Sequence, residues 1–378
     1  MLQEEYFNTD EFRDTLSLYE QAMRNRQSIF LDAIDLTDIA EYYYQQGQRA
    51  RAMQVLDHAL YLYPNATVAL AYKARIVLWE NGNVGKARQL MAQCDDTTSP
   101  EYYLAMAEVM LADEKDDEAH RLLQLYVETM DPEERDNAVL DAMTLLVDYS
   151  SSAHCDYWLN LKPKKANSID YLELSAHLVM LSGKPKEART MFERVVELDP
   201  FHADAWKALA ECCIEENDLQ RALEAINFAL AIDRDDSHLL FRKALCYLNL
   251  QNYRDALSVL QQLQKKEDDD TAYVYPIAFC LVQLQRTEEA IALLSEKAQH
   301  THFAVPFFAD FYRELADFCQ QEGQTQLAQQ IRQYQQQAER IRRNIDNNNN
   351  TDEYSLNLIP PWTSLHYCTI STMAPSLS

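Results

Sequence analysis

Small residues return along this chain in pairs, and the pairs themselves return. Ala40 and Ala52 stand twelve residues apart with Gly47 between them. The pair recurs as Ala74 and Ala87, one residue longer, and then as Ala107/Ala119, Ala176/Ala188, Ala210/Ala222, Ala244/Ala256, Ala278/Ala290 and Ala316/Ala328. The second members, at 52, 87, 119, 188, 222, 256, 290 and 328, are separated by 35, 32, 69, 34, 34, 34 and 38 residues. A gap of 69 is about two periods, so a hidden unit is expected near position 153, with Ala153 and Ala142 as its small residues. About nine units then run from Asp35 to Arg343.

Packing physics says what such a period builds. Two helices joined by a short turn must cross closely, and a small residue at the crossing lets the backbones approach. Gly47 suits the positive φ that ends a first helix, and Pro64 stops a second one. Leu56, Ala59, Leu60 and Tyr63 recur at helical spacing between these marks and supply a buried stripe. One hairpin cannot bury that stripe alone, so neighbours must stack.

Three units carry the fullest pattern: Leu36, Ile39, Ala40, Tyr43, Gly47, Ala52, Leu56, Ala59 and Pro64; Leu172, Ala176, Gly183, Ala188, Phe192 and Pro200; Trp206, Leu209, Ala210, Ala222, Ile226 and Ala229. In order and spacing they resemble the tetratricopeptide repeat, over roughly Ala33 to Arg343. The resemblance implies an all-α chain, a right-handed superhelical α-solenoid of about nine helix-turn-helix repeats with capping helices. The expected organisation is an N-terminal capping helix over 1–32, a repeat array over 33–133, a divergent repeat and possible joint over 134–167, a second array with its capping helix over 168–343, and a disordered tail over 344–378. Five glycines among 378 residues are too few for the turns of an all-β protein.

Charge narrows the partners. Sixty acidic against 34 basic side chains leave a formal net charge of -26, which repels polyanions. The basic residues Lys162, Lys164 and Lys165, Lys265 and Lys266, and Arg340, Arg342 and Arg343 form short scattered runs, not a stripe that would track a phosphate backbone. No nucleic-acid partner is expected. No apolar run reaches the ~18 residues of a membrane span, and MLQEEYFNTDEF has neither a basic leader nor an apolar core, so no membrane association and a cytoplasmic location are expected. The eight cysteines, at 94, 155, 212, 213, 246, 280, 319 and 368, show no paired framework.

Candidate chemistry is sparse. Cys212 and Cys213 are followed by no second ligand pair and read as small buried hydrophobes. His154 and Cys155 lack the oxyanion-hole motif of a nucleophilic site. His300 and His302 read as surface polar residues. The acidic run Glu267 to Asp270 lacks the order of a calcium loop, and Asp270 or Thr271 reads as a helix cap. No cofactor, metal or catalytic residue is expected. The rival from another class is an α/α-toroid glycoside hydrolase, which would need long glycine-bearing loops to carry two carboxylates.

The resemblance implies a ligand on the first helices of the repeats, which line the concave face in that family. Aligning on the small residues puts Asp38, Glu41, Tyr44, Glu101, Glu108, Glu173 and His177 there, then Glu211, Phe241, Arg242, Leu245, Tyr275 and Phe279, so the groove begins acidic and becomes apolar. The Lys, Asn and Arg clamp with which some family members grip a peptide carboxylate has no counterpart at these positions. The expectation is a non-catalytic scaffold or adaptor binding a protein or peptide with basic and apolar residues. Two further expectations are a peptide-sensing regulator and docking of the tail segment Leu356 to Tyr367 into the apolar part of the groove.

Overall fold

The computed structural model describes residues 6–161, 168–266, 273–293 and 308–347, apart from single positions at 26, 28, 287, 291, 322 and 324. The tail segment, Lys162, Lys164 and Lys165, the run Glu267 to Asp270, His300, His302 and Cys368 lie outside the described residues. The chain divides into two compact units, 1–198 and 199–378. The boundary between the units falls after residue 198.

Every regular element among the described residues is a helix. In the first unit α1 (Asp10–Asn25) precedes five hairpins: α2 (Ala33–Gln45) with α3 (Arg49–Leu62), α4 (Thr67–Asn81) with α5 (Val84–Met91), α6 (Pro100–Ala112) with α7 (Asp116–Thr129), α8 (Arg135–Asp148) with α9 (Cys155–Asn160), and α10 (Ile169–Leu181) with α11 (Pro185–Leu198). The second unit holds α12 (Ala203–Glu215) with α13 (Leu219–Ile232), α14 (Ser237–Asn249) with α15 (Tyr253–Lys266), α16 (Val274–Gln283), and α17 (Phe308–Gln321) with α18 (Thr325–Asn347). Within each unit consecutive hairpins stack, which is the α-solenoid arrangement. In the first unit, α2, α4, α6, α8 and α10 lie side by side.

The small residues do what the period requires. All sixteen alanines of the eight recurring pairs are 0–1% exposed, as is Ala142. Ala153 is the exception: it is partly exposed, and Cys155, 3% exposed, sits in its place. The backbone shows why. Positive φ recurs in the turn of each hairpin, at Gly47, Gly82, Glu114, Ser150, Gly183, Asn217, Gln251, Gln285 and Gly323, and the fourth adds His154. Five residues beyond each of the first nine stands the second small residue, and five beyond Ser150 is Cys155. The thiol is thus a crossing residue in the core, and its near neighbour is the carbonyl of Ser151, 3.8 Å away.

This recurring left-handed residue ends each first helix and turns the chain back. Glycine adopts it without cost, but Gln251, at φ 58°, bears a Cβ there. Gln251→Gly is expected to stabilise the chain by about 0.5–1 kcal/mol, the ~1–2 kcal/mol relief of the left-handed strain less the ~0.4–1 kcal/mol of added unfolded-chain entropy. Urea denaturation checks it, and Gly47→Gln should move the midpoint the other way.

The first helices start on side-chain caps: Asp32, Ser99, Ser168, His202 and Asp236 each accept from a backbone N–H three residues on. At the amino end α1 meets α2 through aromatic rings and through Glu20, which accepts from the Tyr43 hydroxyl at 2.9 Å. Tyr6, Phe7 and Phe12 cluster, and Phe7 and Phe12 pack against Tyr42 of α2.

Candidate protein-binding face

In the first unit the adjoining first helices bring together side chains about one repeat apart. Tyr44 on α2 meets Trp79 on α4 with ring centroids 5.6 Å apart, and Tyr72 stands edge-on to both at 6.5 and 6.2 Å. Trp79 stays 44% exposed, so this aromatic group is open to a ligand on one side. The Tyr44 hydroxyl donates to Glu80 at 2.9 Å, and Arg49 pairs with the same carboxylate at 2.9 Å.

Beside the aromatics lies a charge cluster built around Glu108 on α6. Its carboxylate is 2% exposed and accepts three bonds: from Arg75 Nε at 2.6 Å, from Trp79 Nε1 at 2.7 Å, and from the Tyr149 hydroxyl at 3.2 Å. Arg75 also lies over the Trp79 ring at 4.9 Å. One guanidinium faces more than one acid here. Burial raises the carboxyl pKa of Asp141, with the Tyr126 hydroxyl and then Arg75 pulling it back. Burial also raises Asp148, Glu108 adds to that, and Arg75 opposes it. Arg75 pairs with Glu108, and Asp141 and Asp148, both exposed, lie near enough for the same guanidinium to act on them.

The residues picked from the alignment meet different fates. Asp38 accepts a hydrogen bond from the Tyr6 hydroxyl, and its pKa is raised chiefly by burial. Glu41 lies close enough to act on the Tyr72 hydroxyl, and Glu101 is exposed. Tyr44 belongs to the aromatic group. Glu108 is on the expected face, but its oxygens are saturated from within, so its role is internal. His177 packs edge-to-face on Phe192 of its own hairpin at 4.9 Å, and Glu173 is half-buried.

In the second unit the apolar candidates turn inward. Phe241, 7% exposed, packs on Tyr273 at 5.6 Å, and Phe279, 4% exposed, packs on Tyr253 at 5.9 Å. Both complete the packing between hairpins, and Leu245 rests on the same core. Glu211 and Arg242 neutralise each other at 3.1 Å. Burial still pushes the Glu211 carboxyl up, with Arg242 opposing. Tyr275 is in α16, and its side chain lies outside the described residues.

Arg75, Trp79, Asp141, Asp148 and Tyr149 were not picked from sequence. A signal existed for Arg75, which stands 34 residues after Glu41 and 33 before Glu108. Opposite charges at one register on three consecutive first helices point to a cross-repeat contact.

Among the described residues there is no group of three or more His, Cys, Asp or Glu able to hold a metal ion, and no helix long and apolar enough to cross a membrane. Cys212, Cys213, Cys246 and Cys280 are buried thiols; burial pushes Cys212, Cys246 and Cys280 up to about 12, which leaves them unreactive.

Stacked antiparallel hairpins with small residues at each crossing and a left-handed residue in each turn define a helical-hairpin repeat protein. Family models for the tetratricopeptide repeat match residues 179–237 and 36–66, and one for subunit 3 of the anaphase-promoting complex, or cyclosome, matches residues 228–297. The chain carries tetratricopeptide repeats, matched over residues 36–66 and 179–237. Among solved structures, a tetratricopeptide repeat protein from Parabacteroides merdae ATCC 43184 is 12% identical, with 66% of this chain and 98% of that chain covered and a TM-score of 0.46. The structure of Naa15/Naa10 bound to HypK-THB is 16% identical, with 71% and 42% covered and a TM-score of 0.38. No curated protein matches the sequence significantly.

Proposed function

We propose that the chain is a non-enzymatic, cytoplasmic interaction scaffold, and that the first-helix face of its N-terminal unit binds a protein segment in which a basic side chain stands beside an apolar one. The observation that carries this reading is the acidic surround of Arg75 beside Trp79: Glu108 takes the guanidinium, and the exposed Asp141 and Asp148 lie near enough to feel it, while Trp79 stays half-open in its group with Tyr44 and Tyr72. A partner's Lys or Arg would relieve the raised Asp141 and Asp148 carboxyls, and its apolar neighbour would cover Trp79. The overall charge of -26 favours encounter with such a partner.

The test is affinity capture from a cell lysate with mass spectrometry, comparing wild type with an Asp141→Lys, Asp148→Lys variant and with Trp79→Ala. Circular dichroism checks that the variants fold. Charge reversal is expected to cut recovery of the captured proteins roughly tenfold. Equal recovery with all three proteins would overturn the assignment of this face.

The pH dependence follows in sign. Asp141 and Asp148 have pKa values raised above 3.8 in the unbound protein, and a bound cation lowers them. Affinity is therefore full above the raised values and is lost as the pH falls through them. Titration of a captured partner from pH 7 downward measures this, and affinity that rose on acidification would contradict it.

A further inference from the structure

Where the third hairpin meets the divergent fourth, two imidazoles stand that the binding reading does not use. His120 on α7 and His154 in the turn before α9 stack with ring centroids 3.9 Å apart and planes 5° from parallel. His120 is 7% exposed, and its Nδ1 has no hydrogen-bond partner among the described residues. Tyr157 and Trp158 close edge-on around it at 5.1 and 5.7 Å. The outer ring is tied down: His154 Nε2 lies 2.8 Å from Asp117 Oδ1.

The charged groups around His120 come from three places. Its own helix contributes Asp117 and Arg121, and Asp116, which accepts from the Ser151 hydroxyl. The turn contributes His154. On α9, Asp156 pairs with Lys184 at 3.6 Å. The core behind it is apolar, with Leu111 of α6 and Ala142 and Leu146 of α8 in the same cluster.

We propose that this stacked pair makes the junction of α7 and α9 an acid-sensitive joint, closed at neutral pH and opening locally as the pH falls. A proton on each ring would set two like charges face to face, with Asp117 engaged on the outer one. The local structure holds little in reserve. Helix α9 has six residues, no side-chain cap, and a non-glycine residue at φ 60° as its lead-in.

The sign is fixed by which state takes the proton. Burial, and after it the nearby His154, holds the pKa of His120 below its ordinary 6.5 while the junction is closed. The open form exposes the ring and is protonated first. Closure is complete above that value and is lost as the pH falls below it, with the open fraction rising by up to about tenfold per pH unit for one proton. The preceding turn carries Tyr149, which donates to Glu108, so opening also disturbs the proposed binding face. That last consequence rests on the functional reading above; the joint itself does not.

Amide exchange followed by mass spectrometry on the full chain, corrected for the intrinsic pH dependence, tests the proposal. Between pH 7.5 and 5.5, opening in peptides from 116–129 and 155–161 is expected to rise by up to about tenfold in wild type, with 84–91 unchanged. His120→Phe keeps a ring against Tyr157 and Trp158 and should abolish the rise. His154→Asn, which tolerates the left-handed backbone, should reduce it. A wild type with no rise, or either variant with the full rise, overturns the joint.

Discussion

Trp158→Ala is expected to lower the stability of the N-terminal unit by about 3–5 kcal/mol. The indole is fully buried, on a helix of only six residues, and packs edge-on against His120 and Tyr157. So short a helix is not stable by itself, and the fourth hairpin is held mainly by what Trp158 buries between α7, α8 and α10. Because stacked repeats depend on their neighbours, the loss should spread to both sides. For a unit of this size the melting transition should fall by roughly 10 °C. Trp158→Phe should cost much less: it keeps a ring in the site and removes an indole N–H that has no acceptor among the described residues. Chemical denaturation of the two variants measures the difference, and a loss below about 1 kcal/mol for the alanine variant would contradict the account.

Glu108→Ala carries the second large effect, about 3 kcal/mol, by a different mechanism. It removes the acceptor of three donors on two neighbouring hairpins, leaving the Arg75 guanidinium, the Trp79 N–H and the Tyr149 hydroxyl without it. The Arg75 side chain keeps 34% of its exposure, so water recovers part of its loss and the effect stays at the lower end for a broken buried ion pair. Glu108→Gln retains an acceptor and should fall between. Replacing both partners, Arg75→Met with Glu108→Leu, should be milder than Glu108→Ala alone, because no charge is then left behind. Urea melts of the four proteins form the test; a double variant worse than the single would exclude a strong internal ion pair.

The same residue shows how much of the site was legible beforehand. Alignment on the buried alanines puts Glu108 on a first helix, and it stands on α6. Its partners were not legible, because Arg75 is 33 residues away and Tyr149 is 41, and whether two side chains at such separations meet depends on how adjacent hairpins are offset. Phe241 and Phe279 illustrate a second limit of the pattern. Periodicity places them on first helices, but a large ring near the edge of a face can turn outward toward a ligand or inward toward the next hairpin. Here both turn inward, onto Tyr273 and Tyr253. In the fourth hairpin the alanine rule pointed to Ala153, but the left-handed turn at Ser150 puts Cys155 at the crossing instead. A thiol is nearly as small as a methyl group, so the packing requirement was met by a residue the alanine pattern did not single out.

By itself the sequence determined the period, the pairing of helices, and the residues buried at each crossing, because these depend on spacing and side-chain volume within about forty residues of chain. Only the tertiary structure decided which carboxylates are satisfied internally and which stay exposed, and that a histidine of the third hairpin stacks on one in the turn of the divergent repeat. Electrostatics and ring contacts are set by positions between helices, to within an ångström or so, and a one-dimensional pattern carries no information at that scale.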